Sequence, residues 1–127
     1  MNKVILSGFV TSDAVETSIN DRRLAYFKLE TRKTWTEKTV RKEKFDTHYI
    51  VGFDKICESM VNLIKEGREI EIEGELSCRP WLDKDGHERV RYEIILAAFQ
   101  VFGIAKYKPR TSTGDESDYP WTKEHRK

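Results

Sequence analysis

The segment Arg68-Glu69-Ile70-Glu71-Ile72-Glu73-Gly74-Glu75-Leu76 alternates charged and apolar residues almost without a break. A period of two belongs to a β-strand with one face in the core and one in water. Ile70 and Ile72 point one way, and Glu69, Glu71, Glu73 and Glu75 the other. The run continues through Arg79-Pro80-Trp81-Leu82, then meets Asp83-Lys84-Asp85-Gly86, a turn sequence. A second alternating run follows, Arg89-Val90-Arg91-Tyr92-Glu93-Ile94-Ile95-Leu96. Two such runs joined by a short loop containing Gly make a β-hairpin. A chain committed to a long, one-sided hairpin must supply further strands to cover its apolar face.

Those strands are visible upstream. Lys3 to Val10 is a first strand, with Val4 and Leu6 on one face and Ile5 on the other. Thr11 to Asp21 is polar and reads as a loop. From Leu24 to Lys33, Ala25, Phe27 and Leu29 share one face, and Tyr26, Lys28, Glu30 and Arg32 the other. Thr34 to Lys44 has no apolar period and carries Lys38, Arg41, Lys42 and Lys44, so it reads as a mobile basic hairpin loop. Phe45 to Phe53 is a third strand. Between Lys55 and Glu66, Ile56, Met60, Leu63 and Ile64 fall at helical spacing. Asp54 is placed to cap that helix and Gly67 to end it in the left-handed conformation. Arg89 to Phe102 is the last strand. The pattern predicts an all-β domain with one helix, a five-stranded OB-fold barrel over residues 1–105. Residues 106–127, rich in Pro, Ser, Thr, Gly and charge, are expected to be a flexible, disordered tail.

Composition narrows the classes. The 127 residues are 38% hydrophobic and 35% charged, enough for one small core. No apolar run approaches the roughly 20 residues that span a bilayer, and no signal-peptide series opens the chain. Cys57 and Cys78 lack metal spacing and read as reduced thiols, which suits the cytoplasm. The net charge of +1 conceals an uneven distribution: +4 over residues 1–44, −5 over 45–105 and +2 over 106–127. A nucleic-acid ligand needs a basic groove rather than a basic whole.

The same segments carry a family resemblance. Met1-Asn2-Lys3-Val4-Ile5-Leu6-Ser7-Gly8 resembles the first strand of bacterial single-stranded DNA-binding proteins. Phe53-Asp54-Lys55-Ile56-Cys57-Glu58 with Ile64-Lys65-Glu66-Gly67 is similar to that family's third-strand end and helix. Gly67 to Leu76, Arg79-Pro80-Trp81, Asp85-Gly86 and Arg89 are similar to its fourth and fifth strands. The four segments occur in order from Met1 to about Gly103. The resemblance implies an OB-fold that coats single-stranded DNA during replication, recombination or repair, close to the nucleoid, as a dimer or tetramer.

A sequence-tolerant strand binder needs aromatic rings, because every base has a face to stack, and cations for phosphate. Trp35 lies beside Arg32, Lys33 and Lys38; Phe53 beside Lys55; Trp81 beside Arg79. By resemblance, these three rings match positions that stack on bases. Polar neighbours around Trp35 and Trp81 argue against burial; Phe53, at a strand end before a helix, packs inward as readily as outward. Many members have a Trp where this chain has Thr47. Tyr49, on the same face, is the better substitute, with Phe45 the other. Arg32, Lys33, Arg79 and Lys38 are the candidate phosphate contacts, and the remaining cations near strand two are as readily a solvated face.

His48 has two readings, a half-buried strand histidine or, by resemblance, a subunit contact. Glu69 and Glu71 sit where the family joins dimers, and like charge there resists close packing. The acidic stripe offers carboxylates, but an outward face paired with Arg89, Arg91 or solvent is the simpler account than catalysis. His48, His87 and His125 are too scattered for a metal site, and nothing calls for a cofactor. No Ser/Cys–His pair or Gly-rich phosphate loop supports an OB-fold enzyme. A specialised accessory, of primosome or phage and plasmid type, stays open. The chain closes Tyr119-Pro120-Trp121-Thr122-Lys123-Glu124-His125-Arg126-Lys127. Asp115, Glu116 and Asp118 before Tyr119-Pro120-Trp121 are a faint echo of the family's acidic, apolar-tipped ending, but the last five residues include three cations, so recruitment of the usual tail-binding replication partners is not expected.

Overall fold

The computed structural model describes residues 1–103, so every expectation about the tail lies outside the described residues. Six strands and one helix follow in order: β1 Val4–Val10, β2 Val15–Ile19, β3 Arg22–Glu37, β4 Val40–Phe53, α1 Ile56–Leu63, β5 Glu69–Leu82 and β6 Glu88–Phe102. β5 pairs with both β1 and β6, β6 runs parallel to β4, and β4 pairs with β3. β3 returns to β1 through Phe9↔Glu30 and Val10↔Leu29. That last pairing closes a five-strand barrel, the predicted OB-fold architecture. β2 extends the edge of β3 where β1 leaves it.

The period-two pattern delivers the core as read. Val10, Phe27, Leu29, Ile50, Ile70 and Ile72 are at most 1% exposed, and Ile94 and Leu96 join them. Each such side chain contributes roughly 1.5–3 kcal/mol by leaving water. The register of β5 on β6 shifts by one residue between Glu73 and Gly74. Beyond the shift, Phe99 and Val101 replace the even-numbered residues of β6 as the ones packed on the core. α1 plugs one end through Cys57 and Met60, both fully buried. It seats against Gly52, where a Cβ would come within 2.3 Å of the Met60 sulfur.

Four expectations need correction. Thr11 to Asp21 is not all loop: Val15–Ile19 pairs with β3 through a turn at Asn20 and Asp21, both at positive φ. Thr34 to Lys44 is not a mobile loop. β3 and β4 stay paired out to Glu37↔Val40, and Lys38 and Thr39, also at positive φ, make the turn. Two left-handed central residues twist the chain as a hairpin requires, and here non-glycine residues carry that geometry. Asp54 does not cap α1, which has no side-chain cap; Asp54 turns the chain at φ 60 and its carbonyl accepts the Cys57 N–H. Gly67 is left-handed as expected, but α1 ends at Leu63, and Gly67 instead donates to the Val10 carbonyl.

Candidate nucleic-acid interface

Register decides which side chains share a face. Residues paired directly across two strands point the same way. On β3 and β4 the pairs Leu24↔Phe53, Tyr26↔Val51, Lys28↔Tyr49 and Glu30↔Thr47 share the face turned away from the barrel core. Ile95 pairs with Val51, and Glu93↔Ser77, Arg91↔Arg79 and Arg89↔Trp81 continue that outer face across β6 and β5. A second apolar cluster lies here: Leu24, Tyr26 and Val51, nearly buried, with Ile19, Tyr49, Phe53 and Ile95 packed against it. It forms a floor under Tyr49 and Phe53, and the same face continues through Arg79 to Trp81.

Cations sit on its rings. The Arg22 guanidinium carbon lies 4.1 Å from the centre of the Phe53 ring, and that of Arg91 lies 3.8 Å from Trp81. The Lys28 ammonium is 6.0 Å from Tyr49. Positive charge over an aromatic face is attracted by the ring quadrupole. Tyr49, inferred as the substitute for the ring missing at Thr47, is indeed on the face of Thr47 and Phe53. Phe53 resolves its two readings by doing both: it packs on the floor and stays half-exposed.

Arg79, a candidate phosphate contact, lies on this face paired with an acid. Its guanidinium donates to the Glu93 carboxylate at 2.8 Å, and Glu93 is only 3% exposed. That pair is itself a reason Arg79 stays on the outer face, since a buried carboxylate without a partner is costly. Trp35 and Lys33 belong to the other face, paired with Lys42 and Lys44 on the inward-facing side of the ribbon beyond the barrel mouth. The Lys33 ammonium is 6.0 Å from the Trp35 ring, which is 37% exposed. Arg32, exposed, returns to the outer face opposite Phe45. Lys38 occupies the ribbon turn. The structure thus gathers Tyr49, Phe53, Trp81 and Arg79 on one face and sets Trp35, Lys33 and Lys38 apart on the ribbon. Arg22 was missed as a ring partner because it lies far along the chain from Phe53.

The β5–β6 loop at the rim is organised by Asp83. Its Oδ1 accepts the N–H groups of Asp85 and His87, and its Oδ2 accepts Nε of Arg89. Those bonds, led by the His87 amide and Arg89, hold the carboxyl below its usual range. Asp83, Asp85 and His87 come within 4.8 Å of one another, closer than the scattering of histidines implied, but the Asp83 oxygens are spent on the loop.

His48 points inward from β4 and shares a 2.8 Å hydrogen bond with the Thr31 hydroxyl. Burial lowers its pKa, with Asp46 opposing. It lines a depression of about 330 Å³ with Leu76 and Tyr92, which are 46% and 60% exposed. The acidic stripe is not met by Arg89 or Arg91, which are engaged with Asp83 and Trp81. Lys3 of the neighbouring β1 bonds Glu73 at 3.0 Å instead. Glu69 and Glu71 lie across from Phe102 and Gln100.

Known proteins resemble this arrangement. The single-stranded DNA-binding protein of Rhizobium meliloti (strain 1021) is 33% identical over 103 residues, 78% of this chain. The match spans 59% of that protein's length. That of Rickettsia prowazekii (strain Madrid E) is 31% identical over 135 residues, 98% of this chain and 89% of that one. Among solved structures, a Plasmodium falciparum SSB complex with ssDNA matches with a TM-score of 0.72 at 28% identity, over 80% of this chain and 95% of that chain. A deletion mutant of the Thermus aquaticus single-stranded DNA binding protein matches with a TM-score of 0.69 at 20% identity, over 80% and 50%, and speaks for the fold alone. The model of the Single-strand binding protein family matches residues 1–102. The chain belongs to that family.

Proposed function

We propose that this chain binds single-stranded DNA without demanding a sequence, by stacking bases and neutralising phosphates, in replication, repair or recombination. The observation that carries the reading is the outer face itself: Tyr49 and Phe53 on an apolar floor and Trp81 farther along the same face, each with a cation at its ring. Rings supply a sequence-tolerant term and cations a salt-dependent one. Arg32 extends the outer face along the ribbon, and Trp35 and Lys33 on the ribbon's other face, with Lys38 at its turn, offer a second patch for the strand. Arg79 keeps Glu93 paired and sits beside the path between the floor and Trp81. The role is binding rather than catalysis, exercised in the cytoplasm at the nucleoid. The 1–105 segment is the binding domain.

We also read the protein as a homo-oligomer, a dimer or a dimer of dimers. His48 beside exposed Leu76 and Tyr92 supports a subunit contact there, and Glu69 and Glu71 would face the second contact.

Titration of tryptophan fluorescence with oligo-dT and with duplex DNA tests the reading. Strong quenching by dT, weak by duplex and falling with salt, is the expected result. Trp81→Ala and Trp35→Ala should each weaken binding by roughly 1–3 kcal/mol. Two alanine variants that bind dT as the parent does would remove both rings from the site.

A further inference from the structure

Two arginines cover rings on the outer face, and their burial separates them. The Nε of Arg91 is fully shielded from solvent beside the Trp81 ring. That guanidinium backs the indole. Arg22 is different: its side chain is 58% exposed while its guanidinium sits 4.1 Å from the Phe53 centroid. Phe53 packs one side on Leu24, Tyr26 and Val51. The side left for a ligand is therefore the one under Arg22.

Local geometry explains why Arg22 rests there. It is the first residue of β3, two positions before Leu24, the direct partner of Phe53. It thus projects from the same face as Leu24, next to the ring. Asp54, turned back at φ 60 just after Phe53, reaches the Arg22 guanidinium at 3.5 Å. Asp54 is itself 63% exposed, and an ion pair so open to water is weakly held.

We propose that Arg22 is the gate of the Phe53 platform. In the free protein its guanidinium occupies the place of a base, with Asp54 as its resting partner. When single-stranded DNA arrives, a base takes the ring and the guanidinium moves to a phosphate of the same strand. The exchange couples the two halves of binding, because the ring becomes available as the cation finds its anion. This inference rests on the single-strand reading above and adds to it a residue and an order of events.

The test is a salt series of oligo-dT titrations on the full chain with Arg22→Ala, Arg22→Lys, Phe53→Ala and the Arg22→Ala/Phe53→Ala double variant. Thermal melts confirm that each is folded. At low salt Arg22→Ala should bind more weakly, with a salt slope shallower by about 0.7, the share of a single neutralised phosphate. At about 1 M salt, where phosphate attraction is screened, it should bind about two- to five-fold more tightly than the parent, since no guanidinium must leave the ring. Arg22→Lys should keep the parental slope. In the Phe53→Ala background the high-salt gain should vanish. Weaker binding of Arg22→Ala at high salt would mean the guanidinium clamps the base, and overturns the exchange. So would an unchanged slope, or a gain that survives without Phe53. A parent that fails to bind dT at any salt would instead sink the single-strand reading itself.

Discussion

At the scale of single residues, two positions show how closely geometry and chemistry are tied. Gly8 stands where β1 crosses β3: a Cβ there would meet the Glu30 carbonyl oxygen at 2.3 Å. That neighbour is backbone and cannot rotate aside. Gly8→Ala should therefore destabilise the domain by about 1–3 kcal/mol, the range for overpacking a tight site, measured by urea unfolding. His48 links stability to pH. Burial depresses its folded pKa below the ordinary 6.5. The unfolded chain then binds a proton more readily than the folded one. Stability from this group is full above about pH 6.5 and falls as the pH drops from there through the folded value. The sign is the opposite of a histidine that gains an acidic partner. Replacing it, as His48→Gln, should flatten the stability–pH curve across that window, and a curve still as steep would assign the slope to other groups.

At the scale of elements, the β3–β4 ribbon is the part least like its sequence. Its turn places Lys38 and Thr39 at φ 49 and 65. A β-branched residue is strained there. Thr39→Gly should relieve that strain, protect the Glu37 and Val40 amides more strongly from hydrogen exchange, and raise the melting temperature by a few degrees. Weaker amide protection in the variant would show that threonine suits the turn. The same turn explains why the sequence suggests a mobile hairpin loop there rather than strands paired to its tip. Sequence signals for hairpin turns are Asn-Gly and Asp-Gly pairs, and Lys38-Thr39 is neither. Both ribbon faces beyond the barrel are wet, so apolar alternation had nothing to report between Thr34 and Lys44. Ile70, Ile72, Phe27 and Leu29 were legible because a one-sided strand writes its burial as a period of two. Trp81, Phe53 and Tyr49 were legible as rings. The Arg22 partner of Phe53 was not, since a cation joined to a ring through sheet register leaves no local mark. Nor did the sequence reveal that Glu93 would hold Arg79.

At the scale of the whole molecule, the charge pattern along the chain becomes a pattern in space. The positive first third folds into β1, β2, β3 and the start of β4, and so loads the ribbon and the groove floor with Arg22, Lys28, Arg32 and Lys33. The negative middle contributes β5, whose Glu69, Glu71, Glu73 and Glu75 occupy one face. The charge divides along β5 rather than across it: Glu69, Glu71 and Glu73 lie where β1 pairs, and Arg79 and Trp81 lie toward the hairpin on the same strand face. A strand bound at the Trp81 end would be repelled by the acidic stretch farther along β5, which leaves that stretch for protein contact. Among the described residues only Lys3, on Glu73, is seen to offset its charge. Two such faces brought together would carry unscreened like charge at low salt, and less of it as salt shortens the screening length to about 8 Å near physiological strength. Association through this face should therefore strengthen with salt, the reverse of DNA binding. Glu71→Gln removes a charge without changing shape, so it should shift the assembly toward the larger species at low salt and matter little at high salt. Multi-angle light scattering of parent and variant at both salts measures this directly. A parent that stays monomeric at micromolar concentration would end the oligomer proposal. A variant with the parent's mass at low salt would place the contact on another face.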